Sequence, residues 1–172
     1  INPGVIIPEN IEINVNYEDD DILVINKNSG IVVHPAESIK SGTIANGLVF
    51  KYPELVNLPR SGLIHRLDKD TSGLLIIAKN LKSFTFLTKI LQERKIFKQY
   101  IAFVHGRVMK NDIISKPISR HRTNRKKMSV NIDGKEAITE YEVIKNFSSY
   151  TKLKINLITG RTHQIRVHMS YL

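Results

Sequence analysis

Residues 62–79 read GLIHRLDKDTSGLLIIAK, two short apolar runs joined by a dense polar loop. Short apolar runs that end in turn residues are typical of buried strands. Strands on both sides would hold the loop, with Asp68 in it, against the core of the protein. We therefore take this segment as the chemical centre of the chain.

Asp68 is enclosed in the sequence by three basic residues, His65, Arg66 and Lys69. A carboxylate among cations is held in its ionised form, so it is available as a nucleophile or a base. The structural alternative is that Asp68 and Asp70 are turn formers, because Asp-Thr-Ser-Gly is favourable turn chemistry. Asp70 fits that alternative better than Asp68, since three turn-favouring residues follow it directly.

The sequence before this segment predicts three strands and a helix. Residues 11–15 alternate apolar and polar positions and residues 22–27 form an apolar run, which predicts a strand, a turn and a buried strand. A short strand that ends at proline is expected at 31–35. Thr43 is a suitable N-cap for a helix over 44–51.

The sequence after it continues in the same mixed way. Asn80 is expected to cap a helix that runs to about Arg94, and residues 95–106 predict a strand. Residues 137–145 and 150–157 predict an antiparallel pair. Strands and a few helices without strict βαβ alternation predict an α+β fold with a mixed, mainly antiparallel sheet and flanking helices.

A second polar constellation, residues 159–168, opens the last predicted helix, 161–172. If Thr159 or Thr162 caps this helix, the free N–H groups and dipole of the helix would support Arg161 and His163 as an anion site. Arg166 would lie about one turn from His163 on the same face. The alternative is a solvated basic helix face.

Two other features suit a protein that handles nucleobases. Tyr100 lies near the start of a predicted strand, where a tyrosine is usually half-buried packing but can also stack an extruded base. The basic stretch 119–127 could follow a phosphate backbone. Its candidate contact residues are Arg120, His121, Arg122, Arg125 and Lys126. Taken alone, the stretch is equally well interpreted as a solvated loop or a targeting-like basic run.

The composition points to an anionic partner. The 172 residues suit one domain, and 26 Lys and Arg against 16 acidic residues give a formal charge of +10. Nucleic acid is therefore expected ahead of an acidic membrane surface. Zero cysteines exclude disulfides, Cys-ligated zinc, iron–sulfur clusters and thiol nucleophiles, and a cytoplasmic location is expected.

Cofactor chemistry loses its usual sequence support. There is no Gly-x-Gly-x-x-Gly run, Walker A loop, His-Glu-x-x-His or Gly-x-Ser-x-Gly motif. A metal site is also poorly supported, because His163 and His168 are five residues apart and have no carboxylate near them. We therefore expect neither a cofactor nor a metal.

The segment from His65 to Gly73, HRLDKDTSG, resembles the catalytic motif of the RluA-type pseudouridine synthases. The likeness continues over almost the whole chain, in Tyr17–Asp19, Leu23–Lys27, Gly30–Pro35, Tyr100, Pro117–His121 and Gly160–His168. Within that family, residues 118–121 and Lys135 favour the branch that modifies large-subunit ribosomal RNA.

The resemblance implies a fold with a central RNA-binding cleft and a reaction without cofactor or metal. Asp68 would be the essential carboxylate that acts on the sugar of a flipped-out uridine, whose uracil then rejoins through C5. Whether Asp68 adds at C1′ or removes the proton at C2′ stays open. Tyr100 would stack on the base, and Arg166 would pair with the carboxylate.

The resemblance also implies a wider set of RNA contacts. Besides the basic stretch, the candidates are His65, Arg66, Arg161 and His163. The expected partner is ribosomal RNA and the expected state a monomer. Family members commonly carry an N-terminal S4-type domain and further C-terminal strands, so we expect residues 1–172 to be a catalytic domain cut at both ends. The competing hypothesis is an inert RNA-binding module that kept the fold.

Overall fold

The computed structural model of the protein describes residues 6–36, 39–125 and 127–172. The chain forms two compact units that divide between Glu93 and Arg94. Every pairing between the named strands is antiparallel. The predicted α+β class with a mainly antiparallel sheet is therefore confirmed.

The first unit contains a three-stranded sheet in the order β1–β2–β3 and two α-helices. Its elements are β1 (Val15–Glu18), β2 (Ile22–Lys27), α1 (Ile44–Lys51), β3 (Gly73–Ala78) and α2 (Leu81–Gln92). Two short 3₁₀ turns, Pro53–Asn57 and Pro59–Gly62, lie between α1 and β3.

Strand β2 is the middle strand of this sheet, and it buries alternate side chains. Leu23 and Ile25 are fully buried, and β2 pairs with β3, whose Leu75 and Ile77 are buried too. Of the two apolar runs around the polar loop, the second is β3, while the first forms a single bridge from Leu63 to Ile77.

Gly62 explains why that first run stops short of being a strand. Its φ is +76°, in the left-handed region, and a Cβ there would collide with the Ala78 carbonyl oxygen. The backbone therefore approaches the end of β3 closely at this point and then turns, instead of pairing along it.

Both predicted helix caps of the first unit are confirmed. Thr43 and Asn46 form a capping box at the start of α1, and Asn80 and Ser83 form another at the start of α2. The strand predicted at 31–35 is wrong, since the structure has only a parallel bridge from Val32 to Thr43 there.

The second unit contains a four-stranded sheet in the order β4–β9–β8–β5, a two-stranded hairpin and one helix. Its elements are β4 (Gln99–His105), β5 (Asp112–Ser115), β6 (Ile118–Arg120), β7 (Met128–Val130), β8 (Ile138–Asn146), β9 (Tyr150–Leu157) and α3 (Gln164–Tyr171). The predicted pair 137–145 and 150–157 is β8 and β9, in antiparallel register.

Helix α3 covers one face of the four-stranded sheet. The core there comprises Ile114, Tyr141, Leu153 and Ile155, and α3 packs on it through Ile165 and Met169. The side chains that alternate with these residues along β4 and β9 point to the other face. Among the described residues, no helix has both the length and the apolar composition to cross a bilayer.

The last helix begins later than its sequence predicts. We expected it from residue 161, but α3 starts at Gln164, and His163 before it has φ 55° and ψ 23°. The Thr159 hydroxyl, a candidate cap, instead accepts a hydrogen bond from the Ile138 N–H. This contact with β8 was not visible in the local sequence.

Candidate active site

Asp68 lies in the polar loop that precedes β3, where the first unit holds it partly buried. Leu67 beside it is 6% exposed and anchors the loop to the core. The Thr71 N–H donates to the Asp68 carbonyl oxygen at 3.1 Å, which closes a turn. Asp70 is exposed, whereas Asp68 is half-buried. The two carboxylates thus differ in exposure, and the distinct roles expected for them from the sequence stay a prediction.

Lys27 braces this loop from below. Its side chain is only 1% exposed, although it is a lysine at the end of a strand. Its ammonium group donates to the carbonyl oxygens of Asn28 at 2.8 Å, Ile31 at 2.9 Å and Lys69 at 2.9 Å. Three carbonyl acceptors satisfy all three N–H groups, which is what makes the burial of the ammonium tolerable.

The turn after β2 adds two more contacts to the same loop. The Gly30 N–H donates to the Lys69 carbonyl oxygen at 2.9 Å, and the Ser29 hydroxyl donates to the Asp70 carbonyl oxygen at 2.9 Å. The backbone on the C-terminal side of Asp68 is therefore fixed at two consecutive residues by one turn from the neighbouring strand.

Lys27 is also a fixed positive charge near the acidic loop. Burial lowers the pKa of its ammonium group, while the charges of Asp70 and Asp68 oppose that shift. We missed this residue in the sequence. The available signal was its position, since Lys27 continues the inward alternation of Leu23 and Ile25.

His65 is engaged within the fold. Its Nε2 accepts a hydrogen bond from the Ile76 N–H of β3 at 3.0 Å, which ties the start of the loop to the sheet. That nitrogen is therefore not free for RNA. Arg66, the next residue, is exposed, so its proposed RNA contact remains sterically open.

Tyr100 and Arg166 lie in the second unit. Tyr100 is half-buried on β4 and packs against the core cluster that Ile165 and Met169 of α3 also contact. Arg166 is exposed on α3, one turn from the half-buried His163. The structure therefore places Tyr100 beside the helix that carries Arg166. The convergence of both with Asp68 of the first unit stays a prediction.

Gln164 anchors the start of α3 in place of an ordinary cap. Its side-chain oxygen accepts from the Thr159 hydroxyl at 2.8 Å and from the Arg161 N–H at 2.9 Å. Its amide nitrogen donates to the Ile138 carbonyl oxygen at 3.0 Å and to the Thr139 hydroxyl at 2.9 Å. All four bonds of the amide are used, so this buried side chain fixes the position of the helix on β8.

His168 completes the anchoring of α3. It is fully buried, with Nδ1 2.8 Å from the Thr139 hydroxyl and Nε2 3.0 Å from the Lys116 carbonyl oxygen. Because a carbonyl can only accept, Nε2 carries the proton, and the Thr139 hydroxyl donates to Nδ1. Burial lowers the pKa of the imidazole, which fits this neutral tautomer.

Positive charge gathers around Arg161. Its Nε donates to the Glu136 carbonyl oxygen at 2.8 Å, and the Glu136 carboxylate pairs with Arg94 at 2.7 Å. Burial lowers the pKa of Lys98, and the charges of Arg94 and Arg161 lower it further. A Cβ at Gly160 would lie 3.1 Å from the Lys98 ammonium, so glycine leaves room for this cluster.

The described residues of the basic stretch, 119–125 and 127, lie at the end of the β6–β7 hairpin. Arg120 donates to the Arg125 carbonyl oxygen at 3.2 Å, and Arg122 lies 3.5 Å from the Asp133 carboxylate in an exposed ion pair. His121 accepts from the Asn124 N–H through Nδ1 at 3.2 Å, so it organises the turn. Lys126, which we also named as a contact, lies outside the described residues.

No metal-binding arrangement is seen in the described ranges, where no three His, Asp or Glu side chains cluster suitably. That the reaction needs neither a metal nor a cofactor stays a prediction from the family resemblance.

Comparison with known proteins places these features in a family. A sequence model described as RNA pseudouridylate synthase matches residues 21–171. The match spans the Asp68 loop, β4 and all of α3. The chain therefore belongs to the RNA pseudouridylate synthase family.

Individual relatives agree with that assignment. The ribosomal large subunit pseudouridine synthase D of Buchnera aphidicola subsp. Acyrthosiphon pisum (strain APS) is 51% identical over 166 residues, 96% of this chain and 53% of that protein. The protein of the same name from Pasteurella multocida (strain Pm70) is 48% identical over 165 residues, which are 96% of this chain and 51% of the Pasteurella protein. This chain thus spans about half the length of these curated relatives.

A solved structure shows the same fold. Human RNA pseudouridylate synthase domain containing 1 aligns with a TM-score of 0.75 and 26% identity, over 93% of this chain and 65% of that chain. The α+β architecture described above is thus that of a pseudouridylate synthase domain.

Proposed function

We propose that this chain is an RNA pseudouridine synthase that converts specific uridines of large-subunit ribosomal RNA into pseudouridine. The observation that carries the proposal is the braced Asp68 loop within a family match over residues 21–171. The names of relatives such as that of Buchnera aphidicola supply the proposed substrate. Action on ribosomal RNA also fits the charge of +10 and a cytoplasmic site of action.

The proposed reaction is an isomerisation that balances within the substrate. The bond between C1′ of the ribose and N1 of uracil breaks, the uracil turns, and a bond from C1′ to C5 forms. C5 loses its proton and N1 gains one, so no electrons enter or leave. Asp68 acts on the sugar in either of two ways, by addition at C1′ or by removal of the proton at C2′.

The braced loop suits either role of Asp68. A carboxylate that must meet one carbon of an extruded nucleotide has to be held in position before the substrate arrives. The contacts of Lys27, Ser29 and Gly30 to the residues after Asp68 supply that rigidity. In the proposal, Tyr100 stacks on the flipped uracil and Arg166 pairs with the Asp68 carboxylate, as the family resemblance implies.

Release of tritium from RNA that carries 5-³H-uridine tests the proposal. We expect Asp68→Asn to lower the rate of release on the order of a thousandfold or more, because the reacting carboxylate is gone. RNA binding by that variant should persist.

Asp70→Asn is the matched control, since it removes an exposed carboxylate from the same turn. It should release tritium at a rate within a few-fold of the wild-type rate, on the order of a surface change. Undiminished release from Asp68→Asn would refute the role of Asp68, and no release from the wild-type chain would favour an inert binding module.

A further inference from the structure

The face of the second-unit sheet away from α3 carries an exposed cluster that the proposed reaction does not use. We call Phe103, Lys145, Phe147, Tyr150 and Lys152 the aromatic–lysine patch. The Phe147 and Tyr150 rings stack with their centroids 4.4 Å apart at 19°, and Phe103 lies 5.8 Å from Tyr150. Phe103 is 63% exposed, so this large apolar ring gains little from burial in the chain itself.

The two lysines of the patch stand in an unfavourable arrangement. Lys145 of β8 and Lys152 of β9 are direct cross-strand partners, and like charges in that position destabilise a sheet. Among the residues that the structure describes, neither lysine forms a salt bridge. Lys154, the next residue on the same face of β9, differs because it pairs with Glu142 at 3.1 Å.

The lysines are coupled to the rings. The Lys145 ammonium lies 5.1 Å from the Phe147 centroid, and the Lys152 ammonium lies 6.0 Å from the Phe103 centroid. Such contacts offset a small part of the repulsion between the two lysines and leave both charges at the surface. The patch therefore presents aromatic faces and uncompensated positive charge together.

The patch rests on a rigid turn. Thr151, fully buried between Tyr150 and Lys152, accepts from the Val108 N–H at 3.1 Å and lies 2.8 Å from the Gly106 carbonyl oxygen. The Asn146 amide donates to the Val108 carbonyl oxygen at 3.2 Å. The segment that carries the rings is thus fixed to the end of β4 before any ligand binds.

We propose that the aromatic–lysine patch binds a single-stranded segment of RNA, with a base stacked on the exposed rings and adjacent phosphates at Lys145 and Lys152. Aromatic platforms beside cations are the means by which proteins hold single strands without reading their sequence. Phosphates would also remove the repulsion between Lys145 and Lys152. The inference rests on the proposed function for its RNA substrate and adds a contact surface apart from Asp68, Tyr100 and Arg166.

Binding of a uridine-free RNA tests this inference without any chemistry. Fluorescence anisotropy with a labelled oligoadenylate of about twelve nucleotides, enough to cover a typical single-strand site, would give the dissociation constant at several salt concentrations. The test variants are Phe103→Ala and the double variant K145Q/K152Q. Two substitutions on the same face are the matched controls. Lys154→Gln removes a lysine that forms a salt bridge with Glu142, and Ile113→Ala shortens an exposed apolar side chain.

The two test variants should fail in different ways. Phe103→Ala should weaken binding between about fivefold and about a hundredfold, the range for loss of one stacked base. The double lysine variant should bind more weakly at low salt. The slope of the log association constant against log salt should become about 1.4 less steep, because each phosphate contact contributes about 0.7. Both controls should bind as the wild-type chain does.

Wild-type affinity and salt slope in both test variants would overturn the inference. It would equally be overturned if Phe103→Ala abolished self-association in sedimentation while leaving RNA affinity unchanged, since the face would then meet a second copy of the chain. Tritium release by the wild-type chain is scored separately. If the wild-type chain releases no tritium but its RNA binding depends on the patch, the proposed reaction alone is refuted. If it releases tritium but its RNA binding does not depend on the patch, this inference alone is refuted.

Discussion

Each unit has a fully buried polar side chain that supports a candidate site residue, but one of these side chains is charged and the other is neutral. Lys27 is a buried cation whose three N–H groups meet backbone carbonyls next to Asp68. His168 is a buried neutral ring that joins α3, the helix of Arg166, to Thr139 and Lys116. The first unit thus holds its loop with a charge, whereas the second holds its helix with neutral hydrogen bonds.

The difference follows from what each group must position. A loop that carries carboxylates gains from a cation behind it, because opposite charges attract each other. A helix that carries an arginine gains nothing from a further cation beneath it, and a neutral imidazole avoids that repulsion. Substitutions in the two units should therefore have effects of different kind and size.

Removal of the Lys27 ammonium should have the largest effect. Lys27→Met keeps the length of the side chain but leaves three carbonyl oxygens without their donor, so we expect the free energy of unfolding to fall by about 3 kcal/mol. Tritium release should fall as well, because the loop after Asp68 loses a brace. Urea denaturation and the release assay measure the two effects.

Lys79→Met is the matched control for that substitution. Lys79 also ends a strand region of the first unit, but its ion pair with Glu18 is partly solvated, at 2.8 Å. Its loss should cost about 1 kcal/mol or less. If Lys27→Met proved as stable and active as Lys79→Met, the proposed brace would be wrong.

The neutral state of His168 should appear in the pH dependence of stability. Its folded-state pKa is lowered by burial, so the unfolded chain binds a proton more readily below its ordinary pKa of 6.5. The free energy of unfolding should therefore fall as the pH drops below 6.5, by at most about 1.4 kcal/mol per pH unit for this group. Burial lowers the pKa of His34 as well, which adds a contribution of the same sign.

His168→Gln separates the two histidines. It should lower stability at pH 7, because the Thr139 and Lys116 contacts change, and it should also flatten the decline of stability between pH 6.5 and the folded-state pKa below it. Urea denaturation at a series of pH values gives both quantities. A decline as steep as that of the wild-type chain would show that His168 does not titrate as the structure indicates.

Much of the fold could be predicted because its signals are local. Thr43 and Asn80 cap their helices through residues three positions away, and β8 and β9 are joined by a short turn. Lys27 was missed because its key acceptor, the Lys69 carbonyl, lies 42 residues away along the chain. The start of α3 was misplaced for the same reason, since the Thr159 hydroxyl bonds to Ile138 of β8 and to the Gln164 side chain without capping the helix.

The candidate site shows the same division. The motif around Asp68 was enough to predict the loop as the candidate site. The structure adds that Asp68 is half-buried while Asp70 is exposed. Helix α3 was predicted from the polar constellation at residues 159–168. The hydrogen bonds that orient the helix run from Gln164 and His168 to Thr139 of β8, and no periodicity in the sequence indicates them. That Arg166 pairs with Asp68 remains a prediction.

The smallest predicted effects compare the starts of two helices. Thr43→Ala removes the cap of α1 and should lower the free energy of unfolding by about 1 kcal/mol. Thr162→Ala should change it by less than about 0.5 kcal/mol, because α3 begins at Gln164 and has no side-chain cap. Urea denaturation of both variants measures the contrast, and equal losses would indicate that Thr162 caps α3 after all.

The proposed function requires Asp68 for the conversion of uridines in large-subunit ribosomal RNA into pseudouridine. The most direct measurement is a map of pseudouridine, by carbodiimide labelling and reverse transcription, in unmodified large-subunit RNA incubated with the purified chain. We predict stops at discrete uridines with the wild-type chain and with Asp70→Asn, and none with Asp68→Asn. Identical maps for the wild-type chain and Asp68→Asn would contradict the account.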